Sequence, residues 1–229
     1  GALLDSQGFE LIDINGRPAG GNLSGRGRLE AKAVRGKKEA AGILVELTGV
    51  NASEVFPEKG IKGKISSSLR ITGSMEAPAA KLELKSDKLD LNGTDAAGIK
   101  AALFAKKDYA TIKADFDYAS YRGLKLYGEV LFRDKTAEIK TFSLKDAEKE
   151  LAGVKGTVSS ENADIMAVIS GMDIKALGLK QLEGRAVEGR FSARASLKGM
   201  PANPYIEASA QTEALKVSGT AHSLRLAAG

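Results

Sequence analysis

Apolar and polar residues alternate along most of this chain, and glycines interrupt the alternation. Leu69 and Ile71 take turns with Ser68, Arg70 and Thr72 until Gly73 ends the run. Leu82 and Leu84 alternate with Lys81, Glu83 and Lys85, and Leu89 and Leu91 with Lys88 and Asp90 before Gly93. A period of two is that of a strand with one apolar and one wet face. Further on, Ala110, Ile112, Ala114, Phe116 and Tyr118 oppose Thr111, Lys113, Asp115 and Asp117, while Leu124, Leu126, Val130 and Phe132 share a face. At Thr141–Phe142 the phase slips by one, which predicts a bulge. Met166 and Val168 make their strand apolar on both sides. The spacing predicts about 16–20 short strands and an all-β fold.

One piece recurs. Residues 63–93 align without a gap to residues 189–219, so that Gly73 and Gly199 lie 126 apart (199 − 73), as do Pro78 and Pro204, and Gly93 and Gly219. The identities fall on turn residues and the apolar phase is shared, as in a drifted repeat. Each unit reads as an antiparallel meander that is polar on one side only. We expect one continuous repeat-built domain over 1–229, with copies at about 23–98 and 151–229 and linking strands over 99–150. The connection from Gly49 to Gly63 spans 14 positions (63 − 49), its counterpart from Gly171 to Gly189 spans 18 (189 − 171), and such a difference belongs in a surface connection. Asn51 to Glu54 can cap one helical turn before Pro57. Leu3 to Ile14 reads as strand, turn and strand, residues 15–27 with five glycines as a loose turn, and Leu29, Ala31 and Ala33 as the start of another strand. Lys145 to Glu150 is charged, helical or loop.

Composition narrows the chemistry. Aromatics are 5% with no Trp, so aliphatics and alanine line whatever is buried, and 26 glycines suit many tight turns. Cysteine is absent and His222 is the single histidine, which leaves neither a Cys/His metal cluster nor a Cys–His pair to assemble. No serine sits in a G-x-S-x-G elbow. Gly20 and Gly25 have Walker spacing, but Arg26–Gly27 stands where Lys and Ser/Thr are required. Asp115 and Asp117 point out of one strand face, where no pocket is expected to pair them for acid–base work. These readings predict no enzyme, no cofactor and no metal. The net charge of +5 is dispersed among acidic residues instead of gathered into a face, so nucleic acid is not an expected partner. No apolar run is long enough to span a bilayer and no signal peptide is evident, and the chain reads as a piece of something longer.

A sheet with one aliphatic face must cover it. Two such faces can close as a sandwich or jelly roll. Alternatively the face stays partly open as a trough, and an aliphatic lining without polar handles suits acyl chains, which need no directional partners.

The pattern Ser68-Leu69-x-Ile71-x-Gly73, five residues to Pro78, then Lys88-Leu89-x-Leu91-x-Gly93, resembles the repeating unit of TamB and AsmA-like proteins. So does Ser196-Leu197-Lys198-Gly199 through Asn203-Pro204 to Leu215-x-Val217-x-Gly219. The resemblance implies a β-taco, an elongated curved antiparallel sheet with a hydrophobic inner groove and little helix. Members of the family are periplasmic in diderm bacteria, anchored in the inner membrane by a segment outside this sequence. They conduct phospholipids towards the outer membrane, and TamB also partners an outer-membrane β-barrel assembly protein. The family carries no catalytic residues. Its groove lining corresponds here to Leu69, Ile71, Leu82, Leu84, Leu89 and Leu91 in the first copy, and to Phe191, Leu197, Leu215 and Val217 in the second. Ile112, Phe116, Leu124, Leu126 and Phe132 join the lining by phase alone. The other reading of the same features is a non-enzymatic assembly scaffold for outer-membrane proteins, acting through open strand edges.

Overall fold

A computed structural model describes the chain except residues 1, 6, 7, 31–41, 58, 59, 176–186, 218, 219, 223, 224 and 229, with backbone alone at 3–5, 8, 12, 30, 217, 220–222 and 225–228. The fold is all-β and antiparallel. Two compact units divide it, Gly1–Ala114 and Asp115–Gly229.

The first unit holds β1 (Ala2–Asp5), β2 (Gly8–Gly16), β3 (Asn22–Glu30), β4 (Ile43–Asn51), β5 (Ile61–Gly73), β6 (Pro78–Leu91) and β7 (Thr94–Ala105). A 3-10 turn at Pro18–Gly20 and a single helical turn, α1 (Ala52–Val55), interrupt them. Strand β8 (Tyr109–Tyr118) runs past the boundary. The second unit continues with β9 (Tyr121–Arg133), β10 (Thr136–Asp146), β11 (Lys149–Ser159), β12 (Ala163–Asp173), β13 (Val187–Gly199), β14 (Tyr205–Val217), β15 (Thr220–His222) and β16 (Arg225–Ala228). Strand order follows chain order from β1 to β15, with β16 beside β14.

Several local expectations are met for stateable reasons. α1 forms where Asn51 precedes Glu54, although the Asn51 amide bonds the Glu54 carboxylate at 2.7 Å and caps no backbone N–H. The slip at Thr141–Phe142 is a register shift in both pairings of β10. Lys145 to Glu150, expected as helix or loop, differs: it is the end of β10, a tight turn with Ala147 at φ 51°, and the start of β11.

Residues 15–27 differ from expectation, since β3 already begins at Asn22. Two of the glycines read as turn residues are strand residues placed against β4. A Cβ on Gly25 would stand 3.2 Å from side-chain carbons of both Leu11 and Val45. One on Gly27, at φ 141°, would stand 2.0 Å from the Gly42 carbonyl oxygen. Leu29 lies in β3 as an alternating strand residue, while Ala31 and Ala33 fall outside the described residues.

The pairing registers reveal a duplication wider than the side chains show. Val45 faces Leu69 and Leu69 faces Leu82; Ala167 faces Ala195 and Ala195 faces Ala208. Gly27 opposite Ile43 has its counterpart in Gly156 opposite Ile165, and an added Cβ would meet the same obstruction, the preceding residue's carbonyl at 2.0 Å. Ala2–Leu11 and Leu4–Phe9 correspond to Val130–Ile139 and Phe132–Ala137, so β9 and β10, inside the stretch 99–150, repeat β1 and β2. Leu89–Ala96 and Leu82–Leu103 correspond to Leu215–His222 and Ala208–Ala228, which makes β15 and β16 together the counterpart of β7. Irregularities recur as well: registers shift between Leu11 and Ile14 and between Ile139 and Phe142, and again between Leu47 and Val50 and between Ile169 and Met172.

Candidate functional site

In each unit the directly paired residues form rows across the sheet, and paired residues share a side. In the first unit one row is Ile14, Gly25, Val45, Leu69, Leu82 and Leu103. The next is Leu11, Gly27, Ile43, Ile71, Ala80 and Ala105. Leu84 lies between Ser67 and Ala101 in a third. This side is almost wholly apolar.

Leu89 is an odd number of residues from Leu84, so strict alternation would put it on the wet side. The strand kinks instead. The Ser86 hydroxyl, buried, donates to the Lys64 carbonyl oxygen at 2.7 Å, and opposite the kink Gly98 adopts φ 60°. Leu89 thereby joins Val50, Ala52 and Ile65 in a buried cluster, with Leu47, Leu91 and Ile99 packed against it. A second cluster, Leu11, Leu29 and Ile43, fills the side over β2 to β4. Between the clusters Leu69, Leu82 and Leu84 are only half-buried, and Leu103 is 37% exposed.

In the second unit one row runs Val130, Ile139, Gly156, Ile165, Leu197 and Ile206, the next Phe142, Val154, Ala167, Ala195 and Ala208, and a third Leu126, Leu144, Ala152, Ile169, Ala193 and Ala210. Leu126 and Leu197 are half-buried; Phe132, Phe142 and Ile206 are 42%, 37% and 55% exposed. Leu124 is buried opposite Asp146. Phe191 faces Met172 and Thr212, Leu215 faces His222, and the Val217 backbone pairs with Val187 and Thr220. Ile112 and Phe116 are half-buried in β8. The same side holds Val45, Leu47, Leu103, Ile139, Phe142 and Ile206: Val45 and Leu47 read from the sequence as an inward row with Ile43, but none of the six was assigned to the groove lining.

Within each unit the described strands belong to one sheet and pack on their sheet neighbours, α1 packs on β4 and β5, and the 3-10 turn packs on β4 and α1. A leucine left half-exposed forgoes about 1 kcal/mol of the free energy that full burial yields.

The opposite side is a lattice of charge. Arg26, Leu44, Arg70 and Lys81 form one row, flanked by Ser24, Glu46, Ser68 and Glu83. Lys81 Nζ is 2.6 Å from Glu83 Oε1; this hydrogen bond and charge hold the Glu83 carboxyl below the usual range, with Lys85 and Arg70 adding to the effect. Rows of opposite sign compensate one another, so no concentrated cationic surface forms there.

Polar groups elsewhere serve the backbone. Asp117 accepts the Gly123 amide at 2.7 Å and pairs with Arg122 at 3.6 Å, closing the β8–β9 turn. The Tyr121 hydroxyl accepts the Asp173 amide at 2.7 Å, and burial raises its pKa. Among the described residues no three His, Cys, Asp or Glu side chains are grouped to hold a metal ion. No described helix is long and apolar enough to cross a membrane.

These features define a class: an antiparallel β protein with one charged and one aliphatic side, the latter only partly covered within each unit. No family model, curated protein or solved structure matches the chain.

Proposed function

We propose that the aliphatic side binds lipid acyl chains, and that the protein is a TamB/AsmA-like, periplasmic lipid-conducting protein working between inner and outer membranes. The observation that carries the reading is the half-exposed leucine rows, Leu69 and Leu82 foremost, in a unit whose described strands form one sheet. An apolar area in that state normally has an occupant. The central row from Val45 to Leu103 offers no hydrogen-bond donor or acceptor from a side chain, so the occupant needs none. Acyl chains meet that condition; head groups stay in water. A chain can shift along similar aliphatic positions with little change in energy, which suits conduction better than tight capture. The repeat unit quoted above adds the family resemblance, and the outer-membrane β-barrel assembly partner comes with it.

Purified chain is extracted and its lipids measured by mass spectrometry, for the parent and for Leu82→Asp. Phospholipid with the parent and none with the variant, at unchanged circular dichroism, is the expected result. A parent free of lipid that also fails to take up a fluorescent phospholipid from vesicles overturns the reading in favour of an assembly scaffold.

A further inference from the structure

We infer that the charged side of the second unit holds a site for an amphiphilic anion, its carboxylate or phosphate group seated between Lys155 and Arg194 and its first methylenes lying on Met166 and Val168. The site is on the face opposite the acyl-binding rows, so it stands or falls apart from the lipid-conduction reading.

A depression of about 350 Å³ lies on β10 to β13, within the size range of small-molecule sites. Its floor is Gly153, Met166 and Val168. Val168 is half-buried and Met166 is 39% exposed, so two large apolar side chains stand among charges where alternation calls for polar ones. Lys155 is on β11 and Arg194 on β13, flanking the strand that carries Met166 and Val168. Strands two apart are separated by about 10 Å, a span that two such long side chains close on one anion from both flanks. Lys140 at the rim is paired with Glu138 at 2.5 Å, whereas Lys155 and Arg194 have no ion-pair partner among the described residues. Three cations and the carboxylate of Glu150 give the lining a charge of +2 (3 − 1).

The duplication supplies the contrast. The pairs Arg26–Leu44 and Ser24–Glu46 are the counterparts of Lys155–Met166 and Gly153–Val168, and Ser68 is the counterpart of Arg194. A depression of about 290 Å³ recurs in the first unit, beside the same register shift. Its charged lining residues are Asp13, Arg26 and Glu46, a total of −1 (1 − 2). The bulged frame therefore makes the hollow in both units, and its chemistry is set separately. Where the first has Glu46 and Ser68, the second has Val168 and Arg194: a carboxylate is gone, a guanidinium is added and the floor is apolar.

Methyl-labelled methionine in the whole chain gives four NMR probes, of which Met166 is in the site and Met172, the counterpart of Val50, reports the apolar side. Dodecyl phosphate, below micelle formation, is expected to shift Met166 saturably. Inorganic phosphate lacks the stem and dodecyltrimethylammonium the anion, so each is expected to bind there about tenfold more weakly or worse. Arg194→Ser and Val168→Glu, which give the second unit the residues of the first, should each weaken the Met166 response about tenfold at unchanged circular dichroism. Either control ligand matching dodecyl phosphate, or Arg194→Ser keeping its affinity, overturns the site. A shift of Met172 without one of Met166 also overturns it and leaves acyl binding on the other side intact. Vesicles of phosphatidylglycerol that move Met166 as dodecyl phosphate does identify a membrane lipid as the source, and a response to dodecyl phosphate alone identifies a soluble amphiphile; both uphold the site.

Discussion

The backbone amide of Gly171 donates to the Ser192 hydroxyl at 2.9 Å, and the amide of Gly49 donates to the Ser66 hydroxyl at 3.0 Å. Gly49 and Gly171, at φ 67° and 56°, occupy the register shifts of β4 and β12, where the ladder leaves an amide unpaired. The same serine pins the same bulge twice. Ser66→Ala and Ser192→Ala are each expected to cost about 1 kcal/mol, the usual worth of one hydrogen bond. Being in separate units they should add in the double variant, which urea unfolding of the chain will show.

The glycines separate two causes of cost. Gly98 and Gly123 have open space around a hypothetical Cβ and φ of 60° and 65°, so alanine there meets backbone strain alone, about 1–2 kcal/mol. Gly27 and Gly156 add a collision with backbone at 2.0 Å. Gly27→Ala and Gly156→Ala should therefore lose about 3 kcal/mol or more, since main chain must move. Equal losses across the four variants would contradict the close approach of β3 to β4 and of β11 to β12.

Burial differs sharply along the apolar side, and stability should follow it. Val50→Ala opens a cavity in the sealed cluster and is expected to cost about 2–3 kcal/mol. Leu82→Ala removes a larger but half-exposed side chain and should cost about 1 kcal/mol. Adding phospholipid vesicles should raise the melting temperature of the parent more than that of Leu82→Ala, by mass action on the folded state.

Glu83 supplies the pH test. Its carboxyl is held below the usual glutamate range by the Lys81 hydrogen bond and charge, then by Lys85 and Arg70. A depressed folded-state pKa contributes stability above the unfolded value and loses it as pH falls through the folded one. Replacing Lys81 with Met should move the Glu83 titration upward by carboxyl NMR and reduce acid sensitivity below pH 4.5. Both effects should shrink in high salt, because the pair is exposed.

Much of this was written in the sequence, and the omissions have physical causes. Leu69, Leu82, Leu126 and Leu197 betray their side by alternation, and Gly73 and Gly199 betray the recurrence by spacing. What alternation cannot carry is a kink: Leu84 and Leu89 are out of phase, and only the Ser86 bond to Lys64 and the conformation of Gly98 return Leu89 to the apolar side. Glycine is ambiguous in the same way. Gly25 and Gly27 read as a turn because nothing in the string announces that β4 passes where their Cβ atoms would be. The kinship of β1 and β2 with β9 and β10 resides in pairing register, while residues such as Leu4 and Phe132, or Phe9 and Ala137, share little beyond apolarity. Which leucines are sealed and which are open depended on α1, a single turn between β4 and β5 whose Ala52 closes the buried cluster with Val50, Ile65 and Leu89.

The two blocks keep their kinks and change what they display. Where the first carries Val45, Leu69 and Leu82, the second carries Ala167, Ala195 and Ala208 on an equivalent scaffold. Geometry and surface chemistry are thus under separate control: bulges hold the frame, and the depth of the floor can be tuned one module at a time without retuning the frame.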